Sequence, residues 1–323
     1  MTDRTPNLVY ARDLRDAYET RQQHARLVNS GKETRVARGV YADADVWKHL
    51  DATERYLARV RAVANTRRNR PVLSHWSAAV VHGLPIVGAW PREVHTTIGR
   101  ATGGRSRNGE VAHGRLLADG DVVEVSGMLV TSVARTVLDM AASGTFMVAV
   151  TMADRALHVD RFGGRPPRTT KRELFELWEA SKPHRGFVRA KSVLDFAETR
   201  ADSPLESVSR VNMRVIGCPR PLLQSSFSDY LGFIGETDFD WPDYAMLGEA
   251  DGELKYLDAA YRNGRTAEEV VRDEKVREDR LRALPRGFTR WGWAIGLHPA
   301  ALRAHLLNAR LPMGIPWTLP PAD

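Results

Sequence analysis

Cysteine is nearly absent from this sequence. Cys218 is the one thiol among 323 residues, which excludes an internal disulfide and any zinc site built on several cysteines, and suits a reducing, cytoplasmic setting. Long apolar runs are missing as well. No stretch approaches the ~20 apolar residues that span a bilayer, and the first residues lack the apolar core of a signal peptide, so no membrane association is expected. Lysine is scarce: arginine supplies most of the 47 basic residues, which outnumber 40 acidic ones to give a net charge of +7. That balance favours a polyanionic partner, nucleic acid before membrane, because the guanidinium fork matches phosphate geometry. What remains is ordinary for a globular chain, 43% hydrophobic and 27% charged, with length enough for two or three domains, each with its own core.

The densest chemistry lies between Gly235 and Tyr256. Thr237–Trp241 and Ala245–Asp251 read as two strands flanking a Pro242-Asp243 turn. A loop symmetric about Asp243 and Tyr244 sets Asp238 opposite Glu249, with Cβ atoms roughly 5 Å apart. Asp251, two residues on, shares that face because side chains alternate along a strand. Phe239, Trp241, Met246 and Ala250 form the opposite, apolar face. Three carboxylates gathered this closely do not all stay ionised without a cation, so Asp238, Glu249 and Asp251 are the expected ligands of a divalent metal. A solvated polar strand face is the bland alternative.

Ahead of this segment the chain reads as three regions. In residues 1–70, Leu8–Val28 is expected to be helical. Thr34–Tyr41 then alternates as strand, turn and strand, with Arg35 and Arg38 at the bend. A basic hairpin after a helix suits the wing of a winged helix, whose arginines lie along phosphates or enter the minor groove; an ordinary solvated hairpin is the alternative. Asp51–Asn65 is a second helix, and Arg67 and Arg68 sit in a basic connector that is either a phosphate-contacting arm or a solvated linker. In residues 71–160, Ser74 is placed to cap a helix, strands are expected at Val94–Ile98, Glu110–Arg115 and Val122–Val130, and a helix at Val133–Ala142. Spacings of seven or more residues without companion carboxylates argue against a metal site at His75, His82, His95 and His113. Arg135 and Asp139, four apart, suit a structural ion pair. Residues 161–202 read as a boundary rich in Gly, Pro and Arg followed by two amphipathic linking helices.

Several short motifs in this half, in order, are similar to those of AbiEi-type antitoxins, the DNA-binding halves of type IV toxin–antitoxin systems. They are Arg38-Gly39-Val40-Tyr41, Ser74-His75-Trp76-Ser77-Ala78-Ala79, Val94-His95-Thr96-Thr97, Arg105-Ser106-Arg107, Val130 to Asp139, and Ala153-Asp154-Arg155-Ala156-Leu157. The resemblance implies a winged-helix-like N-terminal region, an AbiEi-like α/β middle domain, and double-stranded DNA and a cognate toxin as partners. The segment before the wing is shorter than a full helix-turn-helix.

In residues 203–312, Ser203-Pro204-Leu205-Glu206 carries a helix start and capping box. Strands are expected at Leu222–Ser228 and Phe233–Trp241, then the acidic hairpin, a helix at Thr266–Leu284, a strand at Phe288–Trp293 and a last helix at Pro299–Arg310. The order α-β-β-β-α-β-α with acids on the middle strands resembles the PD-(D/E)XK, restriction-endonuclease-like core. Thr237 to Pro242, Gly248-Glu249-Ala250-Asp251-Gly252, Glu274-Lys275, Arg277-Glu278-Asp279 and Arg290-Trp291 are similar to the Vsr-like endonuclease superfamily. The resemblance implies Asp238 as central metal ligand, Glu249 as second, Asp251 as third or in place of the usual lysine, and Glu206 as the acid of the first helix. The charge-stabilising lysine falls to Lys255 or Lys275.

The expectation is therefore an α+β protein with five segments, 1–70, 71–160, 161–202, 203–312 and a tail at 313–323. It is read as a DNA-binding, Mg²⁺-dependent endonuclease of phage defence or mobile-element biology. The alternatives are a non-catalytic DNA-binding regulator or antitoxin, and a protein–protein module that neutralises a toxin.

Overall fold

The computed structural model describes residues 6–13, 17–67, 69–99, 104–107, 109–160, 164, 166–182, 185–252 and 266–318. It is mixed α+β, and the chain divides into two compact units, Met1–Thr145 with Arg168–Lys191, and Phe146–Pro167 with Ser192–Asp323. Among the described residues no helix is long and apolar enough to cross a membrane.

In the first unit, strand β1 (Val9–Tyr10) precedes helix α1 (Ala17–Asn29), and β2 (Glu33–Ala37) and β3 (Val40–Asp43) form the expected basic hairpin. Its sheet runs β1-β3-β2. Leu8–Val28 is thus not one helix: Val9 and Tyr10 pair with Tyr41 and Val40, because a β-branched and an aromatic residue gain more from a ladder beside the hairpin than from a helix start. Gly39 turns the hairpin at φ +72°, a backbone conformation open to glycine. Helix α2 (Ala44–His49) is capped by Asp43. Helix α3 (Ala52–Thr66) starts with an Asp51–Glu54 capping box and buries Tyr56 and Val60.

The same unit continues with β4 (Val72–Leu73), α4 (His75–Val81), β5 (Val94–Ile98), β6 (Arg105–Arg107), β7 (Glu110–Gly114), β8 (Val122–Val125), β9 (Met128–Thr131) and α5 (Val133–Ser143). These strands make one sheet, ordered β6-β7-β5-β4-β9-β8. The stretch expected as a single strand from Val122 to Val130 folds back on itself. Ser126 and Gly127 both take positive φ, 48° and 76°, the pairing a two-residue hairpin turn requires, and Val122 faces Thr131.

Helix α6 (Phe146–Leu157) belongs to the second unit, α7 (Lys171–Ala180) to the first, and α8 (Phe187–Phe196) is shared between them along its length. The second unit then has α9 (Pro204–Ile216), β10 (Leu222–Asp229), β11 (Gly232–Trp241), β12 (Met246–Ala250), α10 (Ala267–Arg282), β13 (Gly287–Trp291), the short α11 (Trp293–Gly296) and α12 (Pro299–Asn308). Its sheet is ordered β10-β11-β12-β13. The first three strands are antiparallel neighbours, and β13 runs parallel to β12. One face carries Phe239, Trp241, Ala250 and Trp291 into a core with Leu205, Met213 and Leu302. The other carries Ile234 and Leu247, which pack with Leu281 of α10. That second face is also where the carboxylates project.

Candidate functional site

The hairpin at the centre of the second unit has the register its sequence implies. Phe239 faces Gly248, Asp240 faces Leu247 and Trp241 faces Met246, and the same register carried one step sets Asp238 opposite Glu249. Pro242–Tyr244 form a single helical turn, and Ala245 takes φ +44° to launch β12.

Asp238 is the hub of the acidic residues. Its Oδ2 accepts the Ala250 amide at 2.7 Å, which locks the carboxylate across the hairpin. Its Oδ1 accepts from Gln224 Nε2 at 3.2 Å, and the same nitrogen donates to Glu206 Oε2 at 3.0 Å. Glu206 enters from the first turn of α9, where Ser203 caps its amide and Asp202 N donates to Oε2 at 3.0 Å. Its side chain is fully buried. Oε1 has no hydrogen-bond partner among the described residues. Burial, with the Asp238 charge adding to it, pushes the Glu206 carboxyl up to about 8. Gln224 reaches both acids because its backbone stands at φ +50° within β10. A non-glycine residue in that region stores strain of about 1 kcal/mol or more, and sequence alternation alone gave no sign of it. Gln224 also lines a cleft of about 630 Å³ with His158, Arg200, Asp202, Ser225 and Glu236.

Glu249 has a different set of partners. Arg277 Nη2 donates to its Oε1 at 2.6 Å and Arg290 Nη2 to its Oε2 at 3.0 Å. Both guanidinium groups also bind Glu274 Oε1 at 2.8 Å, and Arg290 binds Glu278 at 2.7 Å. Burial nevertheless raises the Glu249 pKa, offset in part by Arg277. Asp251 lies 3.7 Å from Arg290 Nε, a nitrogen with no hydrogen-bond partner among the described residues. Asp238 thus shares Gln224 with Glu206, while Glu249, opposite it and within reach of its charge, and Asp251 sit against arginines. Among the described residues no group of three or more His, Cys, Asp or Glu side chains is arranged to hold a metal ion. Lys275 is exposed on α10, and it is Arg277, two residues on, that turns toward the sheet. Lys255 lies outside the described residues. Among the described residues the positive charge at the carboxylates is thus arginine.

In the first unit, Arg35, Arg38 and Arg67 line one groove of about 840 Å³ together with Arg12, Arg59 and Arg92. Against these six arginines stands one carboxylate, Glu110, which Arg67 pairs with. Arg59, from the middle of α3, and Arg92, from a loop, gave no sequence signal because only the tertiary fold brings them to the wing. Arg68 lies outside the described residues.

The histidines that sequence spacing kept apart come together. His113 stacks on His75 with ring centroids 3.6 Å apart, and His95 Nδ1 lies 2.9 Å from His113 Nε2. The parallel pairing of β5 with β7, Thr97 beside His113, brings this about. His82 stands apart, its Nε2 against the Thr131 carbonyl at 2.7 Å. Burial lowers the pKa of His75 to about 3 and of His95 to about 4, and that of His113 falls as well. Nearby, Arg135 donates to Asp139 at 2.9 and 3.1 Å, the expected ion pair, now fully buried, with Arg115 Nε at 3.6 Å. Neutral stacked imidazoles beside a compensated carboxylate suit a rigid polar core.

No family model matches the chain. Two curated proteins of Mycobacterium tuberculosis are similar to it: the "Uncharacterized protein Rv2248" of strain ATCC 25618 / H37Rv and the "Uncharacterized protein MT2308" of strain CDC 1551 / Oshkosh. Each is 33% identical over 125 residues, 39% of this chain and 44% of the relative. The chain thus spans less than half the length of the curated relatives it matches.

Proposed function

We propose that the protein is a DNA-binding endonuclease that cleaves phosphodiester bonds with a divalent cation, and that its second unit is a Vsr-like member of the PD-(D/E)XK group. The observation that carries this reading is the mixed four-stranded sheet, three antiparallel strands and a fourth parallel to the third, with Glu206 of the preceding helix and Asp238 of the second strand converging at its edge.

A hard cation suits these oxygens. Glu206 Oε1 is buried without a partner among the described residues, burial and then the neighbouring Asp238 charge raise its carboxyl, and a cation between them relieves both costs. Glu206 and Asp238 would hold Mg²⁺ or Mn²⁺, which when bound supplies Lewis-acid charge stabilisation and a more acidic water. Glu249 is oriented by Arg277 and Arg290 rather than left to swing. Those two guanidinium groups are paired with Glu249 and Glu274, and Arg290 with Glu278 as well, so the charge that stabilises the phosphate would come from the cation. The Ala250 amide fixes the direction of Asp238. Supercoiled plasmid incubated with Mg²⁺ or Mn²⁺ tests the reading directly.

The arginine groove of the first unit supports a winged-helix-like, AbiEi-like DNA-binding region acting through phosphates. Arg35→Ala with Arg38→Ala is expected to weaken duplex binding about tenfold or more at low salt, and to lower the slope of log K against log salt by about two. Filter binding across a salt series checks this; unchanged affinity and slope would remove the wing from the interface.

A second reading has its own observation. Both Glu249 oxygens are engaged by arginine, which suits a nuclease fold kept as a scaffold in a regulator or antitoxin with a toxin partner. That reading predicts duplex binding with no metal-dependent cleavage.

A further inference from the structure

Gln224 holds a position that neither strand alternation nor the acidic motifs account for. It sits between Glu206 and Asp238 and donates from one amide nitrogen to both, at 3.0 and 3.2 Å. A single NH₂ group bridging two carboxylates stands where a cation would stand. Its left-handed backbone, φ +50°, is the conformation that directs the side chain there. The independent observation is Glu206 Oε1, fully buried and without a partner among the described residues: one acceptor of this group is left unfilled by the amide. An amide carries a donor end and an acceptor end on one plane, so a half-turn about its last bond replaces NH₂ by a neutral oxygen ligand.

We propose that Gln224 is a ligand of the divalent cation, bridging Glu206 and Asp238 through its NH₂ when the cation is absent and presenting Oε1 to it when bound. This inference rests on the cation reading of the Glu206–Asp238 pair. It gives the site three oxygen donors from three successive elements, α9, β10 and β11, and leaves Glu249 with its arginines. Of the three, Gln224 is the one that lines the neighbouring cleft.

The test is Mn²⁺ binding to the full chain, followed by electron paramagnetic resonance and calorimetry with MnCl₂ alone. Gln224→Ala is expected to bind Mn²⁺ at least about tenfold more weakly than wild type, and Gln224→Glu, which keeps an oxygen at that place and adds charge, to bind at least as tightly as wild type. Gln224→Gly separates binding from folding. It relieves the left-handed backbone and, like Gln224→Ala, removes the amide from both carboxylates, so without metal it is expected to unfold at a higher midpoint than Gln224→Ala while Mn²⁺ binding falls equally in both. If Gln224→Ala binds Mn²⁺ as tightly as wild type, or more tightly because a competing hydrogen bond is gone, the proposal is overturned. If wild type and Asp238→Ala bind alike, the cation reading of the pair fails and the proposal falls with it; loss in Asp238→Ala with none in Gln224→Ala overturns the proposal alone.

Discussion

Glu206→Gln is expected to stabilise the second unit above neutral pH and to abolish its response to divalent cations. The carboxyl is fully buried, and burial, then the Asp238 charge, raise it from 4.5 to about 8. A raised carboxylate pKa means that the folded chain keeps a proton which the unfolded chain releases. The stability is therefore intact below about pH 4.5 and is lost progressively as pH rises to about 8. Each pH unit of that interval corresponds to about 1.4 kcal/mol for one proton. With relaxation around an ionised Glu206, a net loss of about 2–4 kcal/mol by pH 8.5 is a reasonable scale. Glutamine has no proton to lose and keeps an acceptor for the Asp202 amide. Urea unfolding at pH 5 and pH 8.5 should show wild type losing stability between the two and the variant holding constant. Mn²⁺ should raise the wild-type midpoint at pH 8.5 and leave the variant unmoved. Parallel pH profiles for the two proteins would mean that Glu206 does not ionise within a folded site.

Acid is expected to open the first unit. His75 and His95 have pKa values lowered by burial to about 3 and about 4, against about 6.5 when unfolded. A depressed histidine pKa makes the sign opposite to that of Glu206. Stability is fully present above pH 6.5 and is lost as pH falls toward 4 and then 3, because the unfolded chain takes up protons that the stacked rings refuse. Asp139 offsets part of this, while Arg115 and the neighbouring rings add to it. Two such groups amount to about 4–6 kcal/mol by pH 4, comparable with the whole stability of a domain. Hydrogen exchange at pH 7 and pH 4.5 should show peptides from α4, β5 and β7 losing protection before those from β11 and β12. His113→Gln, which ends the stacking yet keeps a polar partner for His95, should shift the onset to lower pH. Loss of protection first in β11 and β12, or an imidazole of His75 titrating near pH 6.5, would contradict this.

The second unit was legible in the sequence because its signals are local. The Pro242-Asp243 turn fixed the hairpin register, and alternation put Phe239, Trp241 and Ala250 on one face and Asp238 and Glu249 on the other. Ser203 and Glu206 marked the start of α9. What stayed hidden depends on tertiary geometry. Gln224 takes a left-handed backbone that no pattern of alternation reveals. Arg277 and Arg290 stand in motifs that the sequence shows, but their meeting at Glu249 needs α10 to lie across the sheet, whereas the PD-(D/E)XK pattern directs attention to Lys255 and Lys275. The three histidines lie on a helix and two strands, each 18 or more residues from the next, so spacing along the chain argued against a cluster that parallel pairing creates. Val9 and Tyr10 were absorbed into a helical pattern because a two-residue strand has no periodicity to read.

Cation-dependent chemistry at Glu206 and Asp238 is tested most directly by the nicking of supercoiled plasmid by wild type and Asp238→Ala, in Mg²⁺, in Mn²⁺ and in EDTA. Wild type is expected to nick with either metal and not in EDTA. The variant, lacking the carboxylate that joins Glu206 to the hairpin, is expected to be slower by about a thousandfold or more. Equal nicking by wild type and Asp238→Ala, or none by wild type with either metal, would contradict it.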